Sequence, residues 1–190
     1  MSVGWRALPR LVIPGRLYGN RVTGGNAGSL FVRHVDGGSS NVAEAELISL
    51  TGPAYNLAAY GIRFVSSPSH ADVLLLTGPL TRNMLAPAFA AFSVMPDKAI
   101  VTVGDWAATA IPQEADAVRP RHMEWIFQNS YAVVELPDVM RSAIIAHAAG
   151  DPPEPCDIID ALMVAAQRKI AQNATRRQES RRTWRKRLTR

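Results

Sequence analysis

Residues able to do bond-making chemistry are scarce in this 190-residue chain. It has one cysteine, Cys156, and four histidines, His34, His70, His122 and His147. A single thiol builds no intrachain disulfide framework and suits a reducing compartment. Standing alone, it reads as a packing residue rather than a nucleophile. The histidines are scattered without metal-ligand spacing, and no nucleophile has a recognisable base. Two loops could approach a phosphate or a flavin: Gly104-Asp105, and Thr77-Gly78-Pro79-Leu80-Thr81-Arg82. Neither is a P-loop or a dinucleotide fingerprint. Arg82 reads as an interface or salt-bridge residue.

The strongest chemical signal is basic. Residues 166–190 hold ten of the 21 Lys and Arg residues and one of the 16 acids, Glu179, so this tail carries +9 and the remainder −4. Arg181, Arg182, Trp184, Arg185 and Lys186 place a tryptophan among cations, a pattern suited to an anionic membrane interface. Nucleic acid is the less favoured partner, because no DNA- or RNA-binding motif accompanies the charge. A solvated tail is the plain alternative. At the other end, residues 1–28 mix glycines and prolines with Trp5, Arg6 and Arg10, and read as an extended arm. Its apolar residues need a surface, either a partner or membrane interface or the protein's own body. No apolar run reaches the roughly 18 residues of a membrane span, and the first residues lack the apolar stretch of a secretory signal.

The elements that position these groups are expected in residues 29–165. Leu30–Val35, Ile62–Val65, Asp72–Thr77 and Ala99–Val103 read as strands, with Tyr131–Glu135 as a fifth. The unbroken apolar run Val73-Leu74-Leu75-Leu76 suits a parallel strand buried on both faces. Ala43–Leu50, a segment after Thr81 reaching about Phe92, Val139–Ala148 and Asp157–Ala171 read as helices, with Thr81 as an N-cap. Alternating strands and helices imply an α/β domain with a mostly parallel sheet and right-handed crossovers. The loops after Val35, Thr77 and Val103 should then gather at one edge, where such sheets place function.

Several strings in this body resemble a known family. They are Leu30-Phe31-Val32-Arg33-His34-Val35-Asp36, Leu50-Thr51-Gly52-Pro53, Tyr60-Gly61-Ile62-Arg63-Phe64-Val65, Ser67-Pro68-Ser69-His70-Ala71-Asp72 and Thr77-Gly78-Pro79-Leu80-Thr81-Arg82-Asn83-Met84. The chain resembles, over roughly residues 29–165, the 20 kDa subunit family of respiratory complex I. It is most similar to the small subunit of membrane-bound, formate-hydrogenlyase-type (group 4) nickel–iron hydrogenases. The resemblance implies a flavodoxin-like three-layer fold and a four-iron cluster at the interface with a large catalytic subunit. By the same resemblance, the four ligand cysteines correspond to Ser40, Ala43, Trp106 and Asp151. Cys156 matches none of them. Thiolates hold such clusters, whereas alanine has no donor atom and tryptophan offers only an indole N–H. The expectation is that the cluster is absent and that no other cofactor or metal replaces it.

The replacements carry expectations of their own. An emptied cluster site is a cavity, and Trp106 is expected to fill much of it. Asp151 is either a solvent-facing loop residue or, if buried, a partner of Arg63, Arg82 or the Trp106 indole. Acids follow the second ligand position in hydrogenase small subunits, so Glu44 and Glu46 have two readings. They could pass protons without electrons, or be ordinary helix carboxylates, with Glu44 favoured near the helix N-terminus.

The implied function is a structural, cluster-free subunit, not catalytic alone, of a membrane-associated complex I- or group 4 hydrogenase-like assembly. It would dock a large-subunit homologue onto integral membrane subunits, with ion, proton or inorganic-carbon transport as the process served. Its implied place is peripheral, on the cytoplasmic face of the bacterial inner membrane. The alternative is a subunit of a redox-active NADH/quinone or hydrogenase-type oxidoreductase whose electrons travel through partner chains, a ferredoxin-like subunit among them.

Overall fold

Leu74, Leu75 and Leu76 are wholly buried, and they lie on the middle strand of a five-stranded sheet. The computed structural model describes residues 29–38, 41–104, 133–150 and 153–188, with side chains to Trp184. Its strands are β1 (Leu30–Asp36), β2 (Ile62–Phe64), β3 (Val73–Thr77), β4 (Ile100–Val103) and β5 (Ile144–Ala148). Their order is β2-β1-β3-β4-β5, and every pairing is parallel. This is the doubly wound, flavodoxin-like order, and the sheet is more uniform than the mostly parallel one expected.

Helices cover both faces. Leu30 and Val32 of β1, Val73 and Leu75 of β3 and Val101 and Val103 of β4 pack with α1 (Val42–Thr51) and α4 (Pro155–Leu188). The alternate residues Val35, Leu74, Leu76 and Ile100 pack with α2 (Arg82–Val94) and the single turn α3 (Asp138–Arg141). The period-two split of each strand thus feeds two cores, as a sheet buried on both sides requires.

Three expectations are corrected. Tyr131–Glu135 does not supply the fifth strand: Tyr131 and Ala132 lie outside the described residues, and Val133 forms only an isolated antiparallel bridge to Thr81. The fifth strand is Ile144–Ala148, where the sequence pattern implies the end of a helix from Val139. The helix there stops at Arg141, and the β-branched pair Ile144-Ile145 begins a strand that pairs with β4. Thr81 precedes α2 as expected, but its hydroxyl does not cap the helix. It donates to the Gly37 carbonyl at 2.8 Å, which ties the loop after β1 to the loop after β3.

The amino edge of the sheet is closed by charge. Lys169 of α4 donates to Asp72 Oδ2 at 2.6 Å and to the Ser29 carbonyl at 2.7 Å. The same Asp72 oxygen accepts the Phe31 N–H at 2.7 Å, and the Lys169 ammonium lies 5.2 Å from the Phe31 ring centre. Lys98 caps α2 by donating to the carbonyls of Phe92, Ser93 and Met95. A cation there complements the negative end of the helix dipole.

The basic tail is the continuation of α4, which runs through residue 166 without a break. Ala165 and Ala166 are still buried, so the helix is nucleated on the core and propagates outward from it. Asp157 sits in its first turn and the cations gather at its far end, the charge order that the helix dipole favours.

Candidate functional site at the carboxyl edge

Parallel pairing brings the strand exits to one edge, as the sequence implied for Val35, Thr77 and Val103. Gly37 N–H donates to Thr77 O at 2.9 Å, Gly78 N–H to Val103 O at 3.2 Å, and Gly104 N–H to Ala148 O at 2.8 Å. The chain leaves this edge through glycines at positive φ: Gly38, Gly78, Gly104 and Gly150. Gly38 has the tightest surroundings, because a Cβ there would stand 2.3 Å from Thr81 Cγ2.

Beneath these exits lies a polar cluster of His34, Thr77 and Glu44. His34 follows Val32 by two residues on β1, and Thr77 follows Leu75 by two on β3. Both therefore face α1, whose first turn carries Glu44. His34 Nε2 lies 3.0 Å from Thr77 Oγ1, and Thr77 Oγ1 donates to Glu44 Oε1. His34 Nε2 is also 3.7 Å from Glu44 Oε1. Thr77 is wholly buried, and the His34 and Glu44 side chains are 30% and 14% exposed.

The tautomer follows from proton counting. A threonine hydroxyl has one hydrogen, and Thr77 gives it to Glu44. Its lone pair must then accept from His34, so Nε2 carries the imidazole hydrogen. Burial pushes the His34 pKa below its ordinary value, against the opposing pull of Glu44 and then Asp36. A neutral imidazole, a hydroxyl and a carboxylate in hydrogen-bonded series can pass a proton in steps between the two more exposed ends.

The structure brings Glu44 into this cluster and leaves Glu46 out. The Glu46 carboxylate lies 3.5 Å from Ser49 Oγ on its own helix. Ala43 is 6% exposed and packs in the core. Arg63 is exposed on the edge strand β2, and Arg82 is exposed at the start of α2. Ser40, Trp106 and Asp151 lie outside the described residues, as do Trp5, Arg6 and Arg10. Their neighbours Gly38, Asn41, Gly104 and Gly150 belong to the carboxyl edge. Asn41 takes the left-handed conformation just before α1, which asparagine tolerates better than most residues. Arg181, Arg182 and Trp184 are exposed on α4, and Arg185 and Lys186 continue that helix.

His34 and Thr77 do not stand out in the sequence, where the histidines look scattered. The usable signal is strand parity: each follows by two residues the last apolar residue of its strand on the face beneath α1, Val32 on β1 and Leu75 on β3. On the opposite face, the wholly buried Thr102 pairs with exposed His147, Oγ1 to Nδ1 at 2.9 Å. Cys156 is half-buried in the first turn of α4. The Tyr60 hydroxyl is pushed up in pKa by burial, with the Cys156 charge as the lesser cause. Among the described residues no group of three His, Cys, Asp or Glu is placed to hold a metal ion. No helix among them is long and apolar enough to cross a membrane.

No protein-family model matches the chain. It is 38% identical over 77 residues to a probable membrane-bound hydrogenase subunit of Pyrococcus furiosus, a match covering 40% of this chain and 46% of that one. It is 42% identical over 72 residues to formate hydrogenlyase subunit 7 of Escherichia coli, covering 38% and 28%. The matched stretch thus spans less than half the length of either relative. A longer match, 26% identical over 137 residues, covers 71% of this chain and 70% of an NADH-quinone oxidoreductase subunit of Chloroflexus aurantiacus. In three dimensions the fold is similar to a chain from the membrane-bound sulfane sulfur reductase, an archaeal respiratory membrane complex. The TM-score is 0.52 at 18% identity, with 80% of this chain and 75% of that one covered.

Proposed function

We propose that this chain, a relative of hydrogenase, formate hydrogenlyase and NADH-quinone oxidoreductase subunits, is a cluster-free subunit of a membrane-bound complex of that kind. It serves by shape and contact rather than by carrying electrons. The observation that carries this reading is Ala43. The resemblance places a cluster thiolate there, and the chain instead presents a methyl group buried among Leu47, Leu50 and the strands. With one cysteine in the whole sequence, the donor set does not fit a four-iron cluster. The sheet that frames the position is intact, and a fold kept while its ligand is lost is a fold kept for its contacts.

In this reading the carboxyl edge docks a large-subunit homologue, and the chain joins it to integral membrane subunits from a peripheral position on the cytoplasmic face. The cluster of Glu44, Thr77 and His34 gives that interface a path for protons although none remains for electrons. Such a complex would serve ion, proton or inorganic-carbon movement. The test is anaerobic purification of the intact complex, separation of this subunit, and assay for iron and acid-labile sulfide. Background iron on this chain, with a large-subunit homologue and membrane subunits co-purifying, is the expected result. Stoichiometric iron and sulfide on this chain would overturn the reading.

A further inference from the structure

The far end of α4 carries a density of positive charge that the fold of the domain does not require. Between Ile158 and Ala166 the helix buries Ile158, Ile159, Leu162 and Met163 against the sheet. Lys169 then reaches back to Asp72, and Arg176 lies 3.3 Å from Asp97. From Arg181 to Leu188 the helix extends about 12 Å further at 1.5 Å per residue. Arg181, Arg182 and Trp184 are all exposed, Trp184 at 63%. Because α4 starts at the carboxyl edge and runs antiparallel to the strands, this arm leaves the molecule past the amino edge, away from the His34 cluster.

We propose that the arm is an electrostatic clamp for an anionic phospholipid surface. Three observations select that occupant, and the choice of a membrane over other polyanions rests on the membrane-complex reading above. First, residues 181–190 hold six cations and no acid, and five of the six are arginine. The planar guanidinium binds phosphate oxygens in pairs, which a lysine ammonium does not. Second, at about 100° per residue the positions of Arg176, Arg177, Arg181 and Arg182 are spread around most of the helix circumference. Among the described side chains of this arm no apolar stripe is available to sink into acyl chains, so the contact is made at the level of the headgroup phosphates. Third, the exposed apolar ring on this arm is an indole, the side chain that settles at the membrane–water boundary.

The clamp is tested with the full-length chain and sedimentation against two vesicle types, phosphatidylcholine alone and phosphatidylcholine mixed with phosphatidylglycerol. Binding is expected only to the mixed vesicles and should weaken steeply as salt rises. Each near-surface cation contributes about a fivefold change in partitioning, so Arg181→Gln with Arg182→Gln should weaken binding about 25-fold. Trp184→Ala should weaken it less and blunt the blue shift of tryptophan emission on binding. These positions are exposed, so an unchanged circular dichroism spectrum confirms that the variants fold. Equal binding to both vesicle types, or binding unaffected by the double substitution, would overturn the proposal. So would tighter binding to a duplex oligonucleotide than to mixed vesicles at the same salt, which would assign the arm to nucleic acid. Vesicle binding and iron content are read on separate samples, so either result can fail without the other.

Discussion

The two edges of this sheet are built from different materials. The carboxyl edge is made of glycines at positive φ and a hydrogen-bonded cluster of His34, Thr77 and Glu44. The amino edge is made of ion pairs and capped carbonyls, centred on Lys169, Asp72 and Lys98. Glycine turns and buried polar groups cost stability and give close backbone approach and chemistry in return. Partly buried ion pairs to a long helix fix one element against another. The edge with the costly features is the one where the resemblance implies a large-subunit partner and the family's cluster position. The edge with the clasp holds the helix that becomes the basic arm. In the proposed reading, docking and attachment fall at opposite ends of one small sheet.

This contrast can be broken at named positions. The largest effect is expected from Gly38→Val, which meets both a forbidden φ and the Thr81 methyl at 2.3 Å. It should cost about 3 kcal/mol, read as a lower midpoint in urea unfolding. Lys169→Met comes next, since it leaves the Asp72 carboxylate, 15% exposed, with only the Phe31 N–H. A loss of about 2 kcal/mol, between the exposed and fully buried limits, is expected. The equilibrium loss for Asp72→Asn should be smaller, because an amide oxygen still accepts from Phe31. Thr77→Val removes the hydroxyl that joins His34 to Glu44 and should cost about 1 kcal/mol. If it costs nothing, the cluster is not a closed hydrogen-bonded unit.

The smallest effect is one of pH. Burial, the leading influence, holds the His34 pKa down, so the unfolded chain takes up a proton before the folded one does. The contribution of the neutral imidazole is whole above about pH 6.5 and is lost as pH falls below that value toward the folded pKa. His34→Gln should flatten this part of a stability–pH curve measured by thermal unfolding. A curve that stays as steep would place the acid sensitivity elsewhere.

How far the sequence reveals all this depends on run length and parity. Val73–Thr77 is legible because an unbroken apolar run flanked by Asp72 and Gly78 fits a central parallel strand. Ile144–Ala148 is not, because five residues mixing isoleucine and alanine satisfy helix and strand patterns alike, and pairing with β4 decides. Thr81 shows a limit of a different kind. Its type and position both suit an N-cap, yet a carbonyl 44 residues away takes the hydroxyl. The site follows the same division. Glu44 is visible through the string around it, whereas His34 and Thr77 become partners only when parallel register sets β1 beside β3.

The single helix from core to arm has a mechanical consequence. No glycine or proline interrupts α4 after Pro155, so no hinge separates the buried stripe from the basic tip. The helix is a lever about 50 Å long at 1.5 Å per residue. Whatever grips its tip therefore sets the angle of the sheet as well as its address. A gripped subunit should tumble with its holder, and the slow rotational correlation time of Trp184 should be shared by probes placed on β3.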